Sequence, residues 1–205
     1  MSGHRYFALY KPRDMVSQFV SADKVPLLGE LDFRFPEGTH AIGRLDRDSE
    51  GLLLLTTNKK VTRLLFQGEV PHRRDYLVMV KNRISAERLK KLQDGVSFKT
   101  FEGADYHTGP CAVLLIEDPL AQFGIRPERP QHIPHSWLHI SLTEGKYHQV
   151  RKMVAAVHHK CRRLVRVAIE DLTLSGMQPG EVTEFAEDDF FRLLQIRNYG
   201  DDQNL

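Results

Sequence analysis

Leu52-Leu53-Leu54-Leu55, closed by Thr56 and Thr57, is the segment that most restricts how this chain can fold. Four successive leucines put apolar side chains on both faces of an extended strand, so that strand needs cover on both sides. Asn58 follows and can cap a helix carrying Val61, Leu64 and Leu65. Directly before the run stands its opposite in character, Gly43-Arg44-Leu45-Asp46-Arg47-Asp48-Ser49-Glu50-Gly51, with three carboxylates and two arginines in nine residues. A buried strand entered through so charged a loop sets polar chemistry at the rim of a core.

The remaining pattern surrounds this strand with others. Tyr6 to Tyr10 reads as a short strand ended by Lys11-Pro12, because proline has no N–H for a continuing ladder, and a polar, proline-containing connection follows. Tyr76 to Val80 is a strand with Tyr76, Val78 and Val80 on one face; Ser85 then caps a helix with Leu89 and Leu92 inward, ended by Gly95. Cys111 to Ile116 is a further strand. From Glu117 to Ser136 four prolines interrupt every period, which predicts a long loop bearing Arg126 and Arg129. Leu138, Ile140 and Leu142 alternate with Trp137, His139 and Ser141, predicting a strand with one buried face that Gly145 ends. Val150, Met153, Val154 and Val157 fall at helical spacing, with Arg151, Lys152 and Lys160 on the polar side. Leu164 to Ile169 predicts one more strand. Strands and helices interleave without a repeat of fixed length, so the expected class is α+β, a mixed, mainly antiparallel sheet flanked by helices and loops. Residues 1–200 are expected to form a single domain, which two subdomains sharing the sheet could build, and residues 201–205 a disordered tail.

Composition narrows the function classes. The longest apolar run, Cys111 to Ile116, is six residues, against the roughly 18 to 20 a membrane span needs. Two cysteines are too few for a disulfide framework, and the N-terminus has no signal-peptide pattern, so a reducing cytoplasm is expected. The net charge of +2 conceals a segregation: residues 181–205 hold seven acids and two bases, and Glu144 to Arg166 holds seven Lys or Arg and one acid. Such a stretch is either a solvated helix face or a phosphate-contacting surface.

Several chemistries can be weighed for the charged loop. Asp46, Asp48, Glu50 and Gly51 match the first, third, fifth and sixth positions of a calcium loop, but Thr57 stands where the bidentate Glu belongs. A pair of glycosidase carboxylates and a surface loop of mutual ion pairs remain open on residues alone. His135 and His139 have the spacing of a helical zinc pair inside a strand-like segment, and His158, His159 and Cys161 cluster without a metal-ligand pattern. No phosphate-binding glycine loop or dinucleotide fingerprint occurs.

Three segments together resemble the RsuA-type pseudouridine synthases, which isomerise uridine in ribosomal RNA. Gly43-Arg44-Leu45-Asp46 with Ser49-Glu50-Gly51-Leu52-Leu53-Leu54-Leu55-Thr56 is similar to that family's catalytic motif, Arg74-Asp75-Tyr76-Leu77-Val78-Met79-Val80 to its tyrosine strand, and Leu142-Thr143-Glu144-Gly145-Lys146-Tyr147-His148-Gln149-Val150-Arg151-Lys152-Met153 to the segment of its basic partner. The resemblance runs from about Lys11 to Glu184 and includes Lys11-Pro12. Only five residues precede Tyr6, so the small S4 RNA-binding domain of many relatives is expected to be absent. With Lys11-Pro12-Arg13-Asp14, where most relatives have glycine at the last position, this resembles the E subgroup of large-subunit enzymes. Arg74 replaces the family's usual lysine, and Asn58-Lys59-Lys60 its usual Asn-Asp-Gly.

The resemblance implies the pseudouridine synthase fold, no cofactor and no metal, large-subunit (23S) rRNA or a ribosomal precursor particle as partner, and a monomer. It implies Asp46 as the catalytic carboxylate, Arg151 as the basic group that keeps it ionised and Tyr76 as the ring on which the detached uracil turns. Arg44, Arg74, Lys146, His148, Gln149, Lys152, Arg162, Arg163, Arg166, Arg126 and Arg129 are then expected to contact RNA. An inactive RNA-binding assembly factor and a carboxylate glycosidase acting on a small nucleoside or sugar are the competing readings.

Overall fold

The structure is a computed structural model and describes residues 3–66, 70–127 and 133–196. In chain order its elements are β1 (Tyr6–Lys11), β2 (His40–Ile42), β3 (Glu50–Thr56), α1 (Val61–Phe66), β4 (Arg74–Lys81), α2 (Ala86–Asp94), β5 (Ser97–Lys99), β6 (Asp105–His107), β7 (Ala112–Ile116) and α3 (Pro119–Phe123). There follow β8 (His135–Leu142), α4 (Gln149–Ala156), β9 (Cys161–Ile169), β10 (Leu172–Thr173), β11 (Val182–Phe185) and α5 (Glu187–Leu193). The chain divides into two compact units, Met1–His72 with Arg166–Leu205, and Arg73–Val165.

In the first unit β1 lies between β3 and β11, antiparallel to both, and β2 also pairs with β3. All seven residues of β3 are buried, as the leucine run predicts. The register sets Phe7 opposite Leu55 and Leu9 opposite Leu53, and these four pack with Met15, Leu28 and Leu45 on one face. Tyr6, opposite Thr56, points to the other face, where its ring meets Phe190 and Phe191 of α5 at 4.9 and 5.4 Å. Both faces are therefore covered. The cover on the first face comes from the segment read as a polar connection: Phe33 and Phe35 pack on Phe7 at 5.6 and 5.8 Å, and Phe19 on Phe35 at 5.3 Å. These phenylalanines fill the layer from irregular backbone, so no period in the sequence announces them.

The acidic C-terminal segment is used structurally. Glu184 pairs with Arg5 and Glu187 accepts from the Tyr6 hydroxyl. Glu187, Asp188 and Asp189 occupy the first turn of α5, where the helix dipole favours negative charge.

In the second unit β8 pairs antiparallel with β4 along eight residues and with β7 on its other side. Ser85 caps α2 by accepting from the Arg88 N–H, and Gly95 ends it at φ +104, with a Cβ there meeting the Thr108 carbonyl oxygen at 2.4 Å. Val150, Met153, Val154 and Val157 of the α4 face join Val78, Val80, Leu92, Leu138 and Ile140 in the core. Both helices thus follow their sequence signals. Strand β8 does not keep an open second face: Trp137 is buried, and the Phe123 ring lies 5.3 Å from His139. Phe123 belongs to α3, a helix inside the expected loop, capped by Asp118, begun by Pro119 and closed by Gly124 in the left-handed region. Strand β7 leaves Leu114 and Leu115 half exposed. The pairings of β1 with β3 and β11, of β2 with β3 and of β8 with β4 and β7 are antiparallel, and the class is α+β with a mainly antiparallel sheet, as expected. Among the described residues no helix is long and apolar enough to cross a membrane. Arg129 and residues 201–205 lie outside the described residues.

Candidate active site

Asp46 sits in the first unit on a tight turn immediately before β3, partly exposed, its carbonyl accepting the Ser49 N–H at 3.0 Å. The backbone on either side of it is pinned. Ser17, itself buried, accepts from the Leu45 N–H at 3.0 Å and donates to the Leu45 carbonyl at 2.9 Å. Arg47 is reached by the Lys11 ammonium at 3.4 Å through its carbonyl, and its own Nε donates to the Asp14 carbonyl at 3.3 Å. The turn bearing Asp46 is thus held by the segment that follows β1. Arg44, two residues earlier, is exposed. Ser17 carries no sequence signal for this role, because a lone serine in a loop looks like any other until its partner 28 residues away is known.

Ser17→Ala leaves both backbone groups of Leu45 without this partner in a buried place. The expected cost is about 1–3 kcal/mol, read from urea unfolding.

Lys11 is fully buried, and its Nζ donates to the carbonyls of Met15 and Pro12 at 2.7 and 2.8 Å. Burial lowers its pKa to about 8 from 10.5, against the opposing pull of Glu50, Asp14, Asp46 and Asp48. Between those two values the unfolded chain holds the proton that the folded chain has released, so stability gains from this group as pH rises through the window. The wild-type protein is expected to show that rising slope between about pH 8 and 10.5 relative to Lys11→Met, compared by urea unfolding at pH 7.5 and 9.5.

Gly51 explains the end of the motif. Its φ is +105, and a Cβ there would lie 2.3 Å from the Arg166 carbonyl oxygen and 2.7 Å from the Arg166 nitrogen. Arg166 in turn donates from Nε to the Leu52 carbonyl at 2.7 Å and is 3% exposed. Its guanidinium therefore lies inside the protein rather than on a phosphate-tracking surface.

The other two catalytic candidates belong to the second unit. Tyr76 is partly buried on β4 and packs against the core that includes Val78, Val80 and Val150. Arg151 follows Val150 on α4 and is half-buried. One core cluster thus anchors the elements carrying both.

The expected RNA contacts divide by burial. Lys146 is exposed, Arg126 is exposed, and Lys152, Arg162 and His148 are intermediate. Gln149 is buried and internal, donating to Glu144 at 2.8 Å and accepting from the Lys146 N–H at 2.8 Å. Arg163 is buried as well, its Nη1 donating to the Arg126 carbonyl at 2.6 Å and its guanidinium 5.9 Å from the Trp137 ring centroid. Arg74 donates from Nη2 to the Thr143 carbonyl at 2.7 Å and lies close over Gly145. These three brace the loops around them, because their nearest acceptors are protein carbonyls and carboxylates. Among the described residues no group of three His, Cys, Asp or Glu side chains could hold a metal.

The sequence profile of the RNA pseudouridylate synthases matches residues 5–156, a span that includes Asp46, Tyr76 and Arg151. The chain is 38% identical over 174 residues to ribosomal large subunit pseudouridine synthase E of Xanthomonas axonopodis pv. citri, covering 83% of this chain and 88% of the relative. Against the enzyme of the same name from Vibrio parahaemolyticus it is 37% identical over 175 residues, 85% of this chain and 71% of that one. A crystal structure of a pseudouridylate synthase superposes with a TM-score of 0.74 over 94% of this chain and 75% of its own, at 24% identity, which speaks to the fold. The resemblance read from three short segments thus extends along the chain and through its architecture, and the protein belongs to the RNA pseudouridylate synthase family.

Proposed function

We propose that the protein isomerises a single uridine to pseudouridine in 23S large-subunit rRNA, with Asp46 as the catalytic carboxylate and no cofactor. The observation that carries the reading is the Asp46 turn, part-exposed and pinned on both flanks by Ser17, Lys11 and Asp14, in a chain whose E-type relatives are named for large-subunit rRNA. A catalytic carboxylate needs its backbone fixed while its oxygens stay reachable.

The reaction breaks the C1′–N1 bond, turns the uracil and joins C1′ to C5; N1 gains the proton that C5 ultimately loses, and no water or electrons are consumed. Asp46 serves it by attacking C1′ or by removing the 2′ proton to give a glycal. Tyr76 offers a flat ring for the detached uracil and a hydroxyl for proton loss from C5, and Arg151 supplies positive charge that favours an ionised carboxylate. The uridine leaves its stack to react, at a cost of a few kcal/mol. Arg44 and the exposed bases of the 144–166 stretch favour phosphate contact.

The test is incubation of the protein, with EDTA present, on large-subunit rRNA lacking its modifications, followed by carbodiimide mapping of pseudouridine by primer extension. One new stop is the expected result. Absence of any stop on free rRNA and on ribosomal precursors overturns the reading in favour of an RNA-binding assembly factor.

A further inference from the structure

The hairpin formed by β5 and β6 and the loop leading into α4 build a surface that the catalytic assignment does not use. Phe101, at the hairpin tip, is 80% exposed, and Tyr147 is 57% exposed. Their ring centroids lie 5.3 Å apart at 71°. The His148 ring stacks on Tyr147 at 3.9 Å and 16°, with His148 at φ +55, a conformation that non-glycine residues seldom hold without a reason. The Lys152 ammonium stands 5.8 Å from the Tyr147 centroid and donates to the Lys99 carbonyl at 2.9 Å, while the Lys146 ammonium lies 5.0 Å from the Tyr106 ring.

This surface is braced from below. The Tyr106 hydroxyl donates to Glu144, which raises the phenol to about 12, and buried Gln149 donates to the other Glu144 oxygen. Glu144 is thereby engaged inside the loop, and Asp105 is engaged by Lys99 at 2.9 Å. Among the described residues no carboxylate pairs with Lys146 or Lys152, whose ammonium groups stand beside aromatic rings.

A phenylalanine held open to water in a braced hairpin gives up the burial that apolar side chains ordinarily gain. Flat rings edged by ammonium groups complement a nucleotide, whose base presents a π-face and whose phosphate is an anion. A duplex hides its base faces, whereas an unpaired nucleotide offers them. We infer that Phe101 and Tyr147, flanked by Lys146 and Lys152, form a stacking platform for an unpaired nucleotide of the substrate RNA other than the uridine that reacts. The inference rests on the proposed RNA substrate and adds a binding subsite to it.

The experiment measures binding of a fluorescein-labelled ten-nucleotide oligouridylate and of a duplex RNA of the same length to wild type, Phe101→Ala, the Phe101→Ala/Tyr147→Ala double variant and Phe101→Trp. Each ring removed is expected to weaken oligouridylate binding about tenfold, with duplex binding unchanged and Phe101→Trp close to wild type. Equal oligouridylate affinity in wild type and double variant, with circular dichroism showing both folded, overturns the platform and leaves the face to a protein partner. Equal weakening of duplex and oligouridylate also overturns it, since that reports phosphate contact alone. Tritium release from C5-labelled uridine in large-subunit rRNA by the wild type separates the two proposals. Release without ring-dependent binding removes the platform alone, and ring-dependent binding without release removes the proposed reaction alone.

Discussion

Asp46→Asn protein is expected to lose pseudouridine formation by a factor on the order of 10⁴ or more while retaining its fold and its affinity for rRNA. The amide keeps the size of the side chain but can neither attack C1′ as a carboxylate nor accept the 2′ proton, so the loss falls on kcat rather than on binding. The turn itself is kept, because it is closed by the Asp46 carbonyl and pinned through Leu45 and Arg47, backbone groups that the substitution preserves. Thermal unfolding within about 1 kcal/mol of wild type is expected. Tritium release from C5-labelled uridine, measured beside a gel-shift with the same transcript, separates the chemical from the binding effect. Activity in the variant within tenfold of wild type would remove Asp46 from the reaction.

Gly51→Ala carries the largest expected effect on stability, about 3–5 kcal/mol by urea unfolding. Two costs add. A φ of +105 lies outside the conformations that an L side chain holds comfortably, and the new methyl would stand 2.3 Å from the Arg166 carbonyl oxygen. Nothing flexible is available to give way, since the atoms it meets are the main chain of a buried strand whose arginine is itself bonded to the Leu52 carbonyl. Relief would require β3 and the Arg166 segment to part, opening the strand that the four leucines bury. A cost below about 1 kcal/mol would mean that β3 and the Arg166 segment are not held in close contact at this position.

The leucine run and the α4 face were legible in sequence because each carries its own answer: a strand with no polar side, and a helix with an apolar stripe at fixed intervals. The aspartate turn was legible only through resemblance, for nothing in its charge pattern distinguishes a catalytic loop from a web of ion pairs. Buried arginines were missed for a different reason. A run of bases reads as surface until its acceptors are known, and those of Arg163 and Arg166 are carbonyls 37 and 114 residues away. Helix α3 did leave marks, in Asp118-Pro119 at its start and Gly124 at its end, but the surrounding prolines outweighed them. The phenylalanine layer over β1 and β3 had no local signature at all, since irregular backbone imposes no spacing on the side chains it delivers.

The placement of β1 between β3 and β11 bears on how the protein is made. The ribosome delivers the chain from its N-terminus, and residues 73–165 leave it as one continuous stretch able to collapse on local partners. The unit containing Asp46 is discontinuous: its first strand waits for β11 and for Phe190 and Phe191 of α5, made more than 170 residues later. A nascent chain stalled before Val182 therefore displays Tyr6 and its neighbours without their cover, and a premature stop there strips β1 of one strand neighbour and of the rings over Tyr6 while sparing the whole of the contiguous unit. Loss of the segment from Val182 onward is thus a lesion at β1.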